Sequence, residues 1–404
     1  MNRIKTFALG LILVPLSMEA QQLDCNGGRY LDHIFPEVSI LKDIQYGEAS
    51  TMGGKSQALL LDFYEPLGDN LEERPLVIMA HGGSFVGGDR TQTAEFCIDF
   101  AKRGYVCANI EYRLLDRFVL DSMFITEAVF MAINDMRAAV RYFREDASHS
   151  KEYGISSDHI YAAGISAGAI MASHVGFLDS LDQVPSYIQT IMDKHGGFEG
   201  NSSENTQFSS EVHGVLNYSG ALIRSHWIDF DDPPVYSAHD DLDPIVPCIY
   251  NTTGLLPFPV YLYGSCAMKT VADQMGVGNE LYLVSNSTGH VSYLLDDSTQ
   301  KIVIDESSAF LSSIICKGAT HATEKLSKDH SGISVYPNPF RDILNIQSEA
   351  TIHEITVTSL TGQIFLQTGQ SPGNRLELGN LPGGIYLVGI RTDYGSLVLK
   401  AFKE

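Results

Sequence analysis

A serine hydroxyl at its ordinary pKa is a weak nucleophile, so a chain that uses one must hold it in unusual backbone and supply a base. Gly164-Ile165-Ser166-Ala167-Gly168 offers such a serine. In a Gly-x-Ser-x-Gly turn a buried strand passes into a helix so sharply that the central side chain is lifted above the sheet, and a Cβ at either flanking glycine would collide. The surroundings supply what the turn needs: His159 to Ala163 reads as a short apolar strand, and Ala169 to Phe177 as a helix. About eighty residues upstream the apolar strand Leu76 to Ala80 runs into His81-Gly82-Gly83, where residues without side chains let backbone N–H groups face a developing oxyanion. The chemistry implied is attack of Ser166 on a carbonyl carbon.

Such groups need a frame. From Leu59 to Ile315 short apolar runs alternate with amphipathic stretches. The predicted strands are Leu59 to Tyr64, Leu76 to Ala80, Val106 to Tyr112, His159 to Ala163, Gly214 to Tyr218, Pro234 to Ala238 and Glu280 to Ser285. Ala128, Met131, Ala132, Met136, Ala139, Val140 and Phe143 recur at helical spacing and make one core-facing stripe. Near-continuous apolar strands alternating with helices predict an α/β fold whose mostly parallel sheet is covered on both faces. Reactive groups then lie at the carboxyl ends of the strands, in the order serine, acid, histidine.

The acid is expected after the strand ending at Ala238, in His239-Asp240-Asp241-Leu242-Asp243-Pro244-Ile245-Val246-Pro247. Asp243 is preferred, because Pro244 fixes the turn behind it and Ile245-Val246 anchor the loop; Asp240 and Asp241 remain alternatives, with solvated loop charge as their bland role. A calcium site from these residues with Asp229, Asp231 and Asp232 lacks regular ligand spacing. The base is expected after the last long strand, where Gly289-His290 stands, with room for one helix and one strand between it and Asp243. His81 is expected to shape its own loop by hydrogen bonding.

With these motifs in view, residues from about 40 to 316 resemble the α/β-hydrolase fold, in its carboxylesterase and hormone-sensitive-lipase-like branch. The matching residues are His81-Gly82-Gly83, Gly164 to Gly168, Asp243-Pro244-Ile245-Val246-Pro247 and Gly289-His290. The resemblance implies Ser166 as nucleophile, His290 as general base, Asp243 as its orienter, and an oxyanion hole from the N–H groups of Gly82, Gly83 and Ala167. The sequence departs from the pattern at Ser84, where many members have a third glycine, and at Asp240, where glycine is common.

The rest of the chain bounds the setting. Met1 to Lys5 carries two positive charges, Phe7 to Leu16 is a short apolar run and Ala20 closes it, which reads as a secretory signal peptide over 1–20. No later stretch approaches the ~20 apolar residues of a membrane span. A formal charge of -22, from 49 acidic against 27 basic residues, argues against nucleic acid or anionic membrane as partners. Of six cysteines, Cys248 with Cys266 is the preferred pair, and Cys107 reads as a small apolar core residue. No cysteine or histidine spacing suggests a metal, and no cofactor is expected. The polar, glycine-rich insertion 178–212 is expected to form a partial cap over the pocket of a catalytic domain spanning 21–316.

Residues 317–332 read as a linker, and 333–404 as a small β-sandwich of short alternating strands. The latter segment also resembles the C-terminal sorting domain of type IX secretion, through Tyr336 to Phe340, Leu360 to Gln363, Leu381 to Leu387 and Lys403. That resemblance implies the secretion machinery as partner, and release or tethering at the cell surface. The expectation for the whole chain is a secreted serine carboxylic ester hydrolase acting on short-chain, polysaccharide-linked acetyl or feruloyl, or polyester substrates. A serine peptidase of the same fold and a non-catalytic surface protein are the alternatives.

Overall fold

The computed structural model describes residues 23, 25–117, 121–254, 260–316, 333–348, 351–359, 364–368, 373–392 and 395–403. The expected signal peptide and the linker lie outside the described residues. In chain order the first elements are β1 (Val38–Ser50), β2 (Ser56–Pro66), β3 (Arg74–Ala80), α1 (Ala94–Lys102), β4 (Val106–Ile110), α2 (Ser122–Ser148), β5 (Ile155–Ile165) and α3 (Ala167–Phe177). There follow α4 (Ser186–Lys194), β6 (Val215–Tyr218), β7 (Ala221–Leu222), β8 (Val235–Asp240), β9 (Tyr250–Thr252), β10 (Tyr261–Gly264), α5 (Ser265–Met275), β11 (Asn279–Val284) and α6 (Asp297–Cys316).

Eight strands form one sheet in the order β1-β2-β4-β3-β5-β6-β8-β11. The first two pairings are antiparallel and the others parallel. All seven residues of β3 are buried, and its side chains alternate between two cores as the period of a strand requires. Leu76, Ile78 and Ala80 face the side covered by α2 and α3, while Val77 and Met79 face Phe96 and Phe100 of α1 and Leu311 of α6. The apolar stripe read in the sequence lies along α2, whose amino end is capped by the Asp121 carboxylate accepting from the Met123 N–H at 2.8 Å.

The insertion 178–212 departs from expectation. It packs against the flank of α2: the buried Arg137 guanidinium donates to the Leu178 carbonyl and lies 3.7 Å from the Phe198 ring, and Ser202 Oγ donates to Asp135 at 2.6 Å. It therefore braces α2, and none of its residues lines the cavity beside Ser166. Arginine with backbone carbonyls at hand finds its partners there, which polar composition alone does not reveal.

The C-terminal region holds β12 (Ser334–Tyr336), β13 (Ile343–Gln347), β14 (Ile352–Ser359), β15 (Ile364–Gln367), β16 (Arg375–Glu377), β17 (Gly384–Thr392) and β18 (Gly395–Lys403). They make two antiparallel sheets, β12-β13-β16 and β15-β14-β17-β18. Leu344, Ile346 and Leu376 of the first share one core with Ile355, Val357, Val388 and Ile390 of the second, which is a β-sandwich. Among the described residues no helix is long and apolar enough to cross a membrane.

Candidate active site

Each candidate residue stands at the carboxyl end of a parallel strand. Ser166 follows β5 and precedes α3 with φ 54° and ψ -113°, a strained conformation for a side chain with a Cβ. Its glycine neighbours are required by contact. A Cβ on Gly168 would stand 2.2 Å from the Ala80 carbonyl oxygen, and one on Gly164 would stand 2.2 Å from the Gly168 carbonyl carbon. The turn is thus wedged against β3, and Ser166 projects above it.

His290 Nε2 lies 2.8 Å from Ser166 Oγ, and His290 Nδ1 lies 2.6 Å from Asp243 Oδ2. The tautomer with its proton on Nδ1 satisfies both bonds: the ring donates to the carboxylate and accepts from the serine hydroxyl. Asp243 is buried, and its other oxygen accepts from the N–H groups of Ile245 (2.8 Å) and Val246 (3.1 Å). These bonds hold the carboxylate toward the ring. Of the three aspartates, the structure brings Asp243 to the histidine.

Asp240 and Asp241 serve the same histidine at one remove. Asp241 accepts from the N–H groups of Asn286 (2.8 Å) and Ser287 (2.9 Å), ahead of His290. Asp240, fully buried, accepts from the Ser292 N–H at 2.9 Å and from the Ser292 hydroxyl, just beyond it. The turn between them takes positive φ at Asn286 (58°) and Val291 (53°), so it needs fastening at both ends. Neither carboxylate is idle loop charge, and Asp229 and Asp232 bond one to the other's backbone. Among the described residues no group of three or more His, Cys, Asp or Glu is arranged to hold a metal ion.

Behind the acid sits His239, which sequence reasoning passed over. It is fully buried, accepts from Ser265 Oγ at Nδ1 (2.7 Å) and donates from Nε2 to the Val246 carbonyl (2.8 Å). Burial pushes its pKa down, against the pull of the Val246 carbonyl and Asp243, so the ring is neutral and fastens the acid loop. The expected disulfide Cys248–Cys266 ties that loop to the start of α5.

The loop after β3 carries the proposed oxyanion donors. Gly82 lies against the nucleophile: a Cβ there would be 3.4 Å from Ser166 Cβ. Gly83 takes φ 121° and its carbonyl accepts from the N–H groups of Val86 and Gly87. Ala167 opens α3, so its N–H has no acceptor within the helix. His81 donates from Nδ1 to the Gly82 carbonyl (2.6 Å), and its ring stacks on Tyr112 at 4.4 Å. Its far side faces Glu111 at 3.6 Å, and the Glu111 pKa is lowered: burial works against ionisation, and the nearness of His81 with the hydrogen bond from the Arg90 N–H outweighs it. Ser84, where a third glycine is usual, takes φ 56°, and Phe85 follows at 62°.

Beside Ser166 opens a cavity of about 80 Å³. Its walls are Phe85, Ile125 and Val129 of α2, Ile170 of α3, Ile223, and Ile245 with Val246 of the acid loop. Val260 and Leu262 close one side from the small sheet β7-β10-β9, whose strands were not foreseen. The lining is almost wholly apolar.

Residues 61–222 match the BD-FAE family model, and residues 334–404 match the secretion system C-terminal sorting domain. No curated protein matches the sequence. Among solved structures, Thermogutta terrifontis esterase 2 phosphoramylated by tabun is similar with TM-score 0.50 and 18% identity, over 69% of this chain and 96% of that one. Its butyrate-bound form gives TM-score 0.50 and 18% identity over 71% and 98%. A truncated carbohydrate esterase from gut microbiota gives TM-score 0.48 and 18% identity over 72% and 100%. At this identity the esterase 2 structures establish the shared fold, and the BD-FAE match over residues 61–222 with the sorting-domain match over 334–404 supports a carboxylic ester hydrolase that carries a type IX sorting domain.

Proposed function

We propose that residues 21–316 hydrolyse carboxylic esters of short aliphatic acids through an acyl-enzyme, and that residues 333–404 direct the enzyme through the type IX machinery to the cell surface or beyond. The observation that carries the reading is the unbroken chain Ser166 Oγ, His290, Asp243, at 2.8 and 2.6 Å. His290 takes the Ser166 proton as the hydroxyl attacks the ester carbonyl, and Asp243 stabilises the imidazolium. The N–H groups of Gly82, Gly83 and Ala167 hold the oxyanion, a term worth about 3 to 4 kcal/mol per donor in such sites. The imidazolium then protonates the leaving alcohol. A water attacks the acyl-enzyme in the second half, with His290 again as base.

The cavity supports the acyl class. Its volume of about 80 Å³ is close to half the ~150 Å³ of an apolar cavity that encloses a benzene ring. On that comparison short aliphatic acyl groups, acetyl to butyryl, suit the cavity better than a feruloyl ring. With the alcohol side left unspecified, acetylated polysaccharides and short-chain glycerides both qualify.

The test is hydrolysis of p-nitrophenyl esters from acetate to decanoate, and of a feruloyl ester, by the full chain beside Ser166→Ala and Ile223→Ala. Turnover of C2 to C4 esters, a drop of ten-fold or more at longer acyl chains, and a loss of ~10³-fold or more in Ser166→Ala are expected. Ile223→Ala, which lengthens the cavity, is expected to move the optimum toward hexanoate. Equal rates across acyl lengths would assign the cavity to the alcohol instead, and Ser166→Ala at wild-type activity would remove the nucleophile.

A further inference from the structure

Between α1 and β4 lie two cysteines that the reaction does not use. Cys97 faces inward from α1 beside Phe96 and Phe100, Cys107 sits within β4, and both are fully buried. Their sulfurs are 2.8 Å apart. Non-bonded heavy atoms rest at roughly 3.5 to 4.0 Å, whereas bonded sulfurs lie about 2.05 Å apart. The pair is therefore inside van der Waals contact and one small movement from a covalent link. The other four cysteines are joined as Cys25–Cys316 and Cys248–Cys266, and the sorting domain sends the chain out of the reducing cytosol.

We propose that Cys97 and Cys107 form a third disulfide in the exported protein, fastening α1 to the middle of the central sheet. One thiol gives up its proton and attacks a disulfide carried by a thiol oxidant of the export compartment, releasing one donor sulfur as thiolate. The second cysteine, as thiolate, then attacks the mixed disulfide, so that the Cys97–Cys107 bond forms and the other donor sulfur leaves. Two electrons pass from the cysteine pair to the donor, which departs as a dithiol with both protons. Burial raises the Cys97 thiol well above its ordinary range, so the exchange belongs to the stage of folding before α1 closes over β4. Once closed, the bond is shielded from reductants by the same packing.

The full chain, exported to an oxidising periplasm and purified without reductant, is unfolded in guanidinium with excess iodoacetamide and mapped by peptide mass spectrometry. The expected result is no alkylation at Cys97 or Cys107 and a peptide linking the two; after reduction both take the label. Alkylation of both before reduction would overturn the proposal, and so would a link from either to any other cysteine. The readout does not involve ester hydrolysis, so its outcome is separate from that of the proposed reaction.

Discussion

Replacing Asp243 by asparagine separates two ways a carboxylate can serve this site. Its oxygens go to different partners: one accepts from His290 Nδ1 at 2.6 Å, the other from the N–H groups of Ile245 and Val246. An amide keeps its carbonyl oxygen on the loop N–H groups, so the loop survives, and turns its NH2 toward Nδ1. The ring must then accept at Nδ1 and carry its proton on Nε2, where it can no longer take one from Ser166. A loss of ~10⁴-fold in kcat, about 5.5 kcal/mol of barrier, is expected. KM should stay within a few-fold, because Asp243 does not line the cavity. Asp240→Asn provides the comparison. It retains an oxygen for the Ser292 N–H, and the Ser292 hydroxyl can rotate to accept from the amide, so the loss should stay below about ten-fold. The assay is kcat and KM on p-nitrophenyl butyrate, with thermal melts showing that both variants fold. Equal losses, or a larger one from Asp240→Asn, would refute the assignment of the acid.

Two further outcomes follow from contacts elsewhere. Gly168→Ala puts a Cβ 2.2 Å from the Ala80 carbonyl and should cost more than about 3 kcal/mol, whereas Gly87→Ala enters open space and should change stability by less than about 1 kcal/mol; urea melts of both check this. His174, wholly buried, donates to the Ile170 carbonyl and accepts from the Ile223 N–H, and burial pushes its pKa down to about 4. The unfolded chain binds its proton below about pH 6.5 and the folded chain does not, so stability is full above pH 6.5 and falls by about 3 kcal/mol on going down to pH 4. Urea melts at pH 7 and 4.5 should show a smaller fall in His174→Gln, and an unchanged fall would count against the argument.

The parallel strands, the serine turn and the histidine loop were legible because each is written locally: an apolar run, two glycines two positions either side of a serine, a glycine before a histidine. Asp243 was legible through Pro244. β1 was not, since only Tyr46 and Ala49 of its thirteen residues are buried and bulges break its alternation. The strands of the small sheet, two to four residues each, are too short for a period to show. Asp240, Asp241 and His239 were hidden for another reason. Much of their work is done on backbone N–H and C=O groups, which every residue possesses, and the side-chain partners of Asp240 and His239 are the serines Ser292 and Ser265, too common a residue to mark them in the sequence. The insertion 178–212 misled for the same reason, with Arg137 holding carbonyls of Leu178 and Phe198.

The Cys25–Cys316 bond joins residues 291 positions apart whose Cα atoms are 5.7 Å from one another. It makes the whole hydrolase domain a covalent ring. Outside a cell the hazard is less unfolding than cutting, and a ring answers a single cut differently from a line: severed once in an exposed loop, the two pieces stay attached and the sheet can close again. Pull applied through the chain beyond Cys316 is likewise shared between both ends of the domain and does not peel α6 from the sheet.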